Sequence, residues 1–545
     1  MEREGTKKHN MHPFHDLKPS RRAFLTGATA FIALLSTSTA LTRPSFAAPP
    51  MSGAFDFESF SARMRDLAAQ PYQAPALIQS EVYENLNYDG HRRVQFDTKK
   101  ARWLGDEHGF QIQAFPPGWL FKETVSVYEI TEGDSHPFAF DSSDFIYHFD
   151  DKAEREAIET ADFPGIAGFR INYPINTPEL ADELVAFLGA SYFRALGRGN
   201  IYGSSARGLL INSWRDGPEE FPRFSEFYLE RPAGDGPMTL YAALESPSVT
   251  GAYRFLISPA TPDQQETVMD VTARLFFRED IAEVGIAPLT SMFLYAETNR
   301  SEFDDFRPQV HDCSGLVFEP EAGLPIWRQL NNNPSLGNSF FWDANMKAFG
   351  LYQRNRDFES YQDAGAHYER RPSMRVEPTA DWGQGQVRLI EIPSRSETDD
   401  NIAAFWIPNE APKAGEAREY GYRLIWGDLL PKEEAELAHV VETRIGQGGV
   451  SGVENAVTLR KFVIDFEGGR LPELSPDTLF EVEASVSAGE ITSSAFFPIE
   501  ANGLWRLVLD VETVDQNLIE LKASIGAGGE PLTEAWTYQW RGAPA

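Results

Sequence analysis

Cysteine is almost absent: Cys313 stands alone in 545 residues. No intrachain disulfide can form, and a cysteine-based zinc site is excluded. Basic charge is scarce, with 49 Lys and Arg against 81 Asp and Glu and a formal net charge of −32. A nucleic-acid binder needs a basic footprint, and an anionic bilayer would repel such a chain, so both are excluded as partners. There is no Walker A sequence, no H-E-x-x-H and no G-x-S-x-G elbow. Outside the first 47 residues the histidines (His91, His108, His136, His148, His311, His367 and His439) are scattered without metal-ligand spacing. No metal and no cofactor are predicted. Gly446–Gly452 imitates a dinucleotide fingerprint, but its last glycine falls one position late and no βαβ unit surrounds it. It reads as a surface loop.

Long apolar runs are also missing, apart from one near the start. Ser20-Arg21-Arg22-Ala23-Phe24-Leu25 precedes an apolar stretch from about Ala28 to Leu41, which ends at Ser45-Phe46-Ala47. Paired arginines, a short apolar region and a small-x-Ala site make residues 1–47 a cleaved twin-arginine signal peptide. The run is shorter than the ~20 residues that span a bilayer. The expected location is the periplasm, with no membrane insertion after cleavage. Removing residues 1–47 takes away seven basic and three acidic residues and leaves a net charge of −36. In that compartment Cys313 persists only if it is buried or unreactive.

Helical periodicity is rare. Phe57, Phe60, Met64 and Leu67 share a face after a start at Asp56, and a second helix is expected from Thr177-Pro178 through Leu180, Leu184, Phe187 and Leu188. Elsewhere short alternating runs dominate, as in Phe110–Phe115, Val125–Ile130 and Leu240–Leu244, punctuated by 36 Pro and 42 Gly. Composition shifts near Asn409–Gly415. Beyond it Lys461–Asp465, Leu479–Val486, Trp505–Val511 and Glu520–Ile525 alternate, with Trp505, Leu507, Leu509 and Val511 on one face. The pattern predicts an all-β protein with two domains, a β-sandwich over 49–430 and an Ig-like sandwich over 431–545.

Trp103, Trp119, Trp214, Trp327, Trp342, Trp382 and Trp406 all precede residue 430. Aromatic faces stack on the C–H faces of sugars while Asp, Glu, Asn and Arg bond hydroxyls, so carbohydrate is a sensible ligand class, although most Trp residues simply fill cores. Glycosidic cleavage uses two carboxyl groups, one keeping its proton. Two polar segments stand out: Asp304-Asp305-Phe306-Arg307-Pro308-Gln309-Val310-His311-Asp312 and Glu397-Thr398-Asp399-Asp400-Asn401. Like charge at Asp399 and Asp400 would raise one pKa, as a general acid requires. A solvated acidic turn fits the same residues.

Several ordered segments carry a family likeness. They include Leu188–Arg194, Ile201-Tyr202-Gly203 with Ser205–Leu209, Glu219–Phe224, Ala287–Phe293, Arg307–Asp312, Gly350–Arg354, Asp381–Gly385 and Glu391-Ile392-Pro393 leading into Glu397–Asn401. Together they resemble the osmoregulated periplasmic glucan biosynthesis proteins G and D, from about residue 55 to 410 and more weakly beyond. The resemblance implies a large N-terminal β-sandwich of the galactose-mutarotase-like type and a C-terminal Ig-like domain. It also implies work on a β-1,2-linked glucan, as an inverting endo-glucanase or a transglycosylase. The alternative it leaves open is a non-catalytic glucan-binding factor that controls backbone structure or branching. The twin-arginine leader looks more like type D.

Carried over by position, the resemblance makes Asp400 the general acid and Asp312 the general base. Tyr368 and Arg371 would line the cleft, Glu397 would support the acid, and Trp382 would either touch glucan or belong to the core. Two positions depart from the family pattern. Asp399 stands where Asn is usual, and His367 where Arg is common, which puts rate and substrate preference in doubt. In the family a C-terminal-domain loop can close over a neighbouring protomer's cleft. Glu433–Gly452 occupies that stretch with poor similarity and leaves a homodimer open.

Overall fold

The computed structural model describes residue 51 and residues 53–541, apart from 216–217, 235, 433–434, 451, 453–457, 476 and 515–517. The proposed signal peptide lies outside the described residues, as do parts of the Glu433–Gly452 stretch. Among the described residues the strands form a 16-stranded sheet, a 10-stranded sheet, a four-stranded sheet and two small ribbons. No described helix is long and apolar enough to cross a membrane.

The two largest sheets face each other across one core. Phe187 and Phe193 of the 10-stranded sheet pack edge-on against Phe255 of the 16-stranded sheet, and Phe169 packs the same way against Phe227. Burying rings of this size drives the sheets together, since each removes 150–250 Å² from water. The expected strands form as Gln111–Phe115, Ser126–Thr131 and Met238–Glu245. The expected helix is Phe57–Ala68, capped by the Asp56 side chain, which accepts from Ser59 N–H at 2.8 Å. Its Phe60 and Met64 pack beside Tyr228 and Ala252.

The second expected helix is instead the strand Leu180–Leu188, paired with Gly168–Thr177 and Tyr192–Ala195. Leu184, Val185, Ala186 and Phe187 are all buried, so both faces of this strand are covered. A short strand covered on both faces shows a continuous apolar run, which periodicity cannot tell from a helix. Thr177 pairs with Leu180, so Pro178 sits in a tight turn rather than at a helix start.

Beyond residue 430 the alternating runs are the strands Leu459–Glu467, Phe480–Val486, Trp505–Glu512 and Leu518–Ala527. Trp505, Leu507, Leu509 and Val511 are buried together, as their spacing predicts. This C-terminal core also receives Val317, Trp327 and Tyr352 from the first segment. The strand Ala535–Arg541 pairs in parallel with Ile326–Gln329, so the 16-stranded sheet runs from one segment into the other. The Arg354 guanidinium lies 3.8 Å from the Trp327 ring centroid and pairs with Glu534, pinning this junction.

Candidate functional site

The two proposed catalytic carboxyls flank one short piece of backbone. Strand Val284–Ser291 runs on through Met292 into Phe293–Tyr295. On one side Asp312 N–H donates to Met292 O at 2.9 Å, and His311 pairs with Phe293. On the other side Phe293 N–H donates to Asn401 Oδ1 at 2.8 Å, while Asn401 Nδ2 donates to Phe293 O and Ile392 O at 2.9 Å each. Ile402 then pairs with Ser291. Asn401 therefore splices the Asp400 turn to the same strand that holds Asp312.

Both carboxyls are buried, Asp312 at 3% and Asp400 at 8% exposure. Burial is the largest influence on Asp400 and pushes its pKa up to about 6; Arg194 opposes, Asp312 adds to the rise, Arg207 opposes again and Asp399 contributes least. The rise expected from neighbouring charge at Asp399 is thus mainly desolvation. The Asp399 carboxylate instead accepts from Ser394 Oγ at 2.8 Å. Arg194 Nη2 stands 3.7 Å from Asp400 Oδ2, an ion-pair distance, and that oxygen accepts no hydrogen bond among the described residues. Burial also raises Asp312, against the pull of Arg371 and Arg194. Arg371 Nη1 donates to Asp312 Oδ1 at 2.6 Å, a charge-assisted bond that opposes this rise.

Tyr368 and Glu397 join the same cluster. The Arg371 guanidinium lies over the Tyr368 ring at 4.5 Å, and the Tyr368 hydroxyl donates to Glu397 Oε2 at 3.1 Å. Burial raises the Tyr368 pKa strongly, so its hydroxyl stays protonated. Arg307 Nη1 donates to the same Glu397 oxygen at 2.6 Å and to Asp363 at 2.8 Å, and Arg307 also pairs with Asp305. His367 adopts the left-handed region (φ 47°), which turns the chain into Tyr368–Arg370, and its Nδ1 lies 3.0 Å from Glu369 Oε1. Gln353 Nε2 donates to both His311 O and Tyr368 O, tying the Asp312 and Tyr368 segments together.

Trp382 lies elsewhere. It precedes strand Gly385–Glu391, whose Gly385 end pairs with Pro408, whereas Asp400 follows the Glu391 end. Six strand residues, roughly 20 Å, separate the two ends. Trp382 packs on Trp406, Tyr420 and Tyr422 and donates from Nε1 to Gly421 O at 3.0 Å. Its neighbours are core, not the carboxyl cluster.

The sequence reading assigned no role to Arg194 or Arg207. Tyr192–Ala195 and Ser205–Arg207 turn Phe193 and Ala206 into the core, so Tyr192, Arg194 and Arg207 share the opposite face. Arg207 pairs with Glu219 at 3.2 Å and lies 4.2 Å from the Tyr192 ring centroid. The available signal was an arginine alternating with apolar residues inside a strand, since a buried cation needs a partner. Among the described residues no three His, Cys, Asp or Glu side chains converge as a metal site requires. Cys313, next to Asp312, is fully buried beside Ser204, and burial pushes its thiol up to about 12, which keeps it inert.

The sequence profile of the periplasmic glucan biosynthesis protein MdoG family matches residues 55–540. The chain is 52% identical to glucans biosynthesis protein G of Cereibacter sphaeroides, over 89% of each chain. It is 40% identical to glucans biosynthesis protein G of Ralstonia nicotianae, over 89% of this chain and 96% of the relative. With glucans biosynthesis protein D of Xanthomonas campestris pv. campestris the identity is 39%, over 90% of this chain and 91% of the relative. Whatever the leader suggests about type D, the identity with a type G relative is higher. With matches of this extent to proteins G and D alike, the chain belongs to the periplasmic glucan biosynthesis protein family.

Proposed function

We propose that the protein acts in the periplasm on the backbone of a β-1,2-linked glucan, as an inverting endo-glucanase or transglycosylase. The observation that carries this reading is the pair of buried carboxyls on opposite sides of one strand, with Asp400 held at about 6. A carboxyl at that value keeps much of its proton near neutrality and serves as a general acid. Asp400 gives its proton to the glycosidic oxygen as the bond to the anomeric carbon breaks. Water attacks that carbon from the opposite face, and its proton passes to Asp312, directly or through a substrate hydroxyl. In transfer, an acceptor sugar hydroxyl replaces the water. Inversion needs carboxyls roughly 6.5–9.5 Å apart or a relay, and an attacking water fits between groups held on opposite sides of one strand.

Arg371 orients Asp312 through one of its two oxygens, while the protonated Tyr368 hydroxyl and Arg307 fix Glu397 at the rim. The glucan rests on the names of the relatives, and the β-1,2 linkage on the resemblance of the motifs. Periplasmic export rests on the Arg21-Arg22 leader.

One observation favours a second reading, a glucan-binding factor without catalysis. Arg371 already holds one Asp312 oxygen at 2.6 Å, and Arg194 stands beside Asp400. Such cations blunt a base and an acid. Incubating the purified mature protein with linear β-1,2-glucan separates the two. Shortened or rearranged chains support catalysis, and binding without new products supports the factor.

A further inference from the structure

The loop that carries Asp400, residues 394–400, lies between strand Gly385–Glu391 and strand Ile402–Pro408. Its mouth is closed by Ile392 N–H, which donates to Asn401 O at 2.8 Å. Two buried side-chain amides hang it on the strand between the carboxyls. Asn401 bonds both the N–H and the carbonyl of Phe293, and Ile392 O as well. Asn332 makes the matching set at the other end of the loop. Its Oδ1 accepts from Ser394 N–H at 3.0 Å, and its Nδ2 donates to Ser394 O at 2.7 Å and to Leu294 O at 3.0 Å. Phe293 and Leu294 are consecutive, so both ends of the loop are tied to one point of the strand that pairs with His311 on its other edge.

The three partners of Asn332 dictate an amide. Ser394 N–H needs an acceptor and the two carbonyls need donors, which also fixes which way the amide points. An apolar residue would strand three backbone groups at a buried position, and an ionised aspartate would face two carbonyl oxygens. Asn332 is in turn held in place: its N–H donates to Asn331 Oδ1 at 2.9 Å, and Asn331 N–H donates to Glu391 Oε1 at 2.7 Å. Glu391 is 1% exposed and accepts from Arg328 at 3.0 Å. From Ser394 the clamp reaches the acid, because Ser394 Oγ donates to Asp399 Oδ2 at 2.8 Å, one residue before Asp400. Glu397, in the middle of the loop, has its own partners in Arg307 and Tyr368.

We propose that Asn332 is a positioning residue for the general acid, holding residues 394–400 shut so that Asp400 stays buried opposite Asp312. The proposal rests on the glucanase reading above. The charged and titratable groups facing Asp400 are Arg194 and Tyr192 from Tyr192–Ala195, Arg207 from Ser205–Arg207, Asp312, and Asp399 on its own loop. All but Asp399 lie outside the loop, so releasing the clamp acts on Asp400 mainly by admitting water. Its carboxyl, at about 6 through burial, then moves toward the ordinary 3.8. Each unit of that fall leaves about tenfold less protonated acid at pH 7.

The test uses full mature chains of wild type, Asn332→Ala, Asn332→Asp and, as a core control, Trp382→Ala. Turnover of linear β-1,2-glucan is followed across pH 4–8, with urea unfolding beside it. Asn332→Ala should lower kcat at pH 7 on the order of tenfold and move the alkaline limb of kcat down by about one pH unit. KM should stay near the wild-type value, because Glu397 keeps its partners. Asn332→Asp, which preserves size and loses both donors once ionised, should shift the limb the same way. Trp382→Ala should lose stability with its limb in place. A wild-type limb in Asn332→Ala would overturn the positioning role, since weaker folding alone lowers the rate without moving the limb. An equal shift in Trp382→Ala would overturn it too. If Asn332→Ala does not fold, Asn332→Asp decides by the same readout; failure of both to fold would make Asn332 a folding residue and nothing more. Wild type that binds the glucan and releases no products would instead overturn the glucanase reading, and the positioning role with it.

Discussion

Replacing Asp400 by Asn should make the protein more stable at neutral pH while removing its activity. Asp400 sits at about 6 in the folded protein because burial penalises its charged form, against an ordinary 3.8. The native state therefore binds the proton more tightly than the unfolded chain. By linkage, stability falls as pH rises from about 3.8 to 6 and stays lower above that range. The cost of ionising this buried group amounts to about 3 kcal/mol at pH 7–8. Asn has the same shape and carries no charge, so the variant should gain up to about 3 kcal/mol at pH 8 and almost nothing at pH 3. Urea unfolding of wild type and variant, followed by tryptophan fluorescence across this range, measures the difference. A variant that is less stable at pH 8, or whose advantage does not grow between pH 4 and 7, would refute the assignment of desolvation as the cause. The same substitution should lower turnover ~10²–10⁴-fold through loss of the general acid. In wild type, activity should decline as pH rises through about 6 and Asp400 loses its proton.

Other substitutions should behave differently. Asp312→Asn removes the proposed base and should abolish most turnover while leaving glucan affinity intact; an activity assay with calorimetry beside it reads both. Trp382→Ala should cost roughly 2–4 kcal/mol, because the ring packs on Trp406, Tyr420 and Tyr422, yet leave glucan affinity intact by calorimetry; weakened binding with unchanged stability would move Trp382 into the cleft. Arg21→Lys with Arg22→Lys should leave uncleaved precursor in the cytoplasm on fractionation, and normal processing would exclude the twin-arginine route.

Much of the fold is legible in the chain because alternation is a local signal. Trp505, Leu507, Leu509 and Val511 announce a strand with one buried face, and that strand forms. The Leu180–Leu188 run fails for an equally local reason: it is covered on both faces and loses the period. The two polar segments are legible by composition, but only the family resemblance picks Asp312 and Asp400 out of them. What joins the two carboxyls is not legible in the chain. Asn401 reaches Phe293 across 108 residues, and Arg371 reaches Asp312 across 59. Trp382 shows the converse: residue type suggested a sugar contact, while its partners Tyr420 and Tyr422 lie 38 and 40 residues further on. Where the chain closes on itself from a distance, pattern gives the parts and pairing gives the site.

The central claim is that Asp400 and Asp312 cleave a glucan backbone with inversion. Proton NMR during the first minutes of reaction with linear β-1,2-glucan observes this directly, because the anomer released precedes its equilibration in water. The account predicts new reducing ends that appear first as the α-anomer from a β-linked chain, and none from Asp400→Asn. First appearance of the β-anomer, or an unaltered polymer after prolonged incubation with bound wild type, would contradict it.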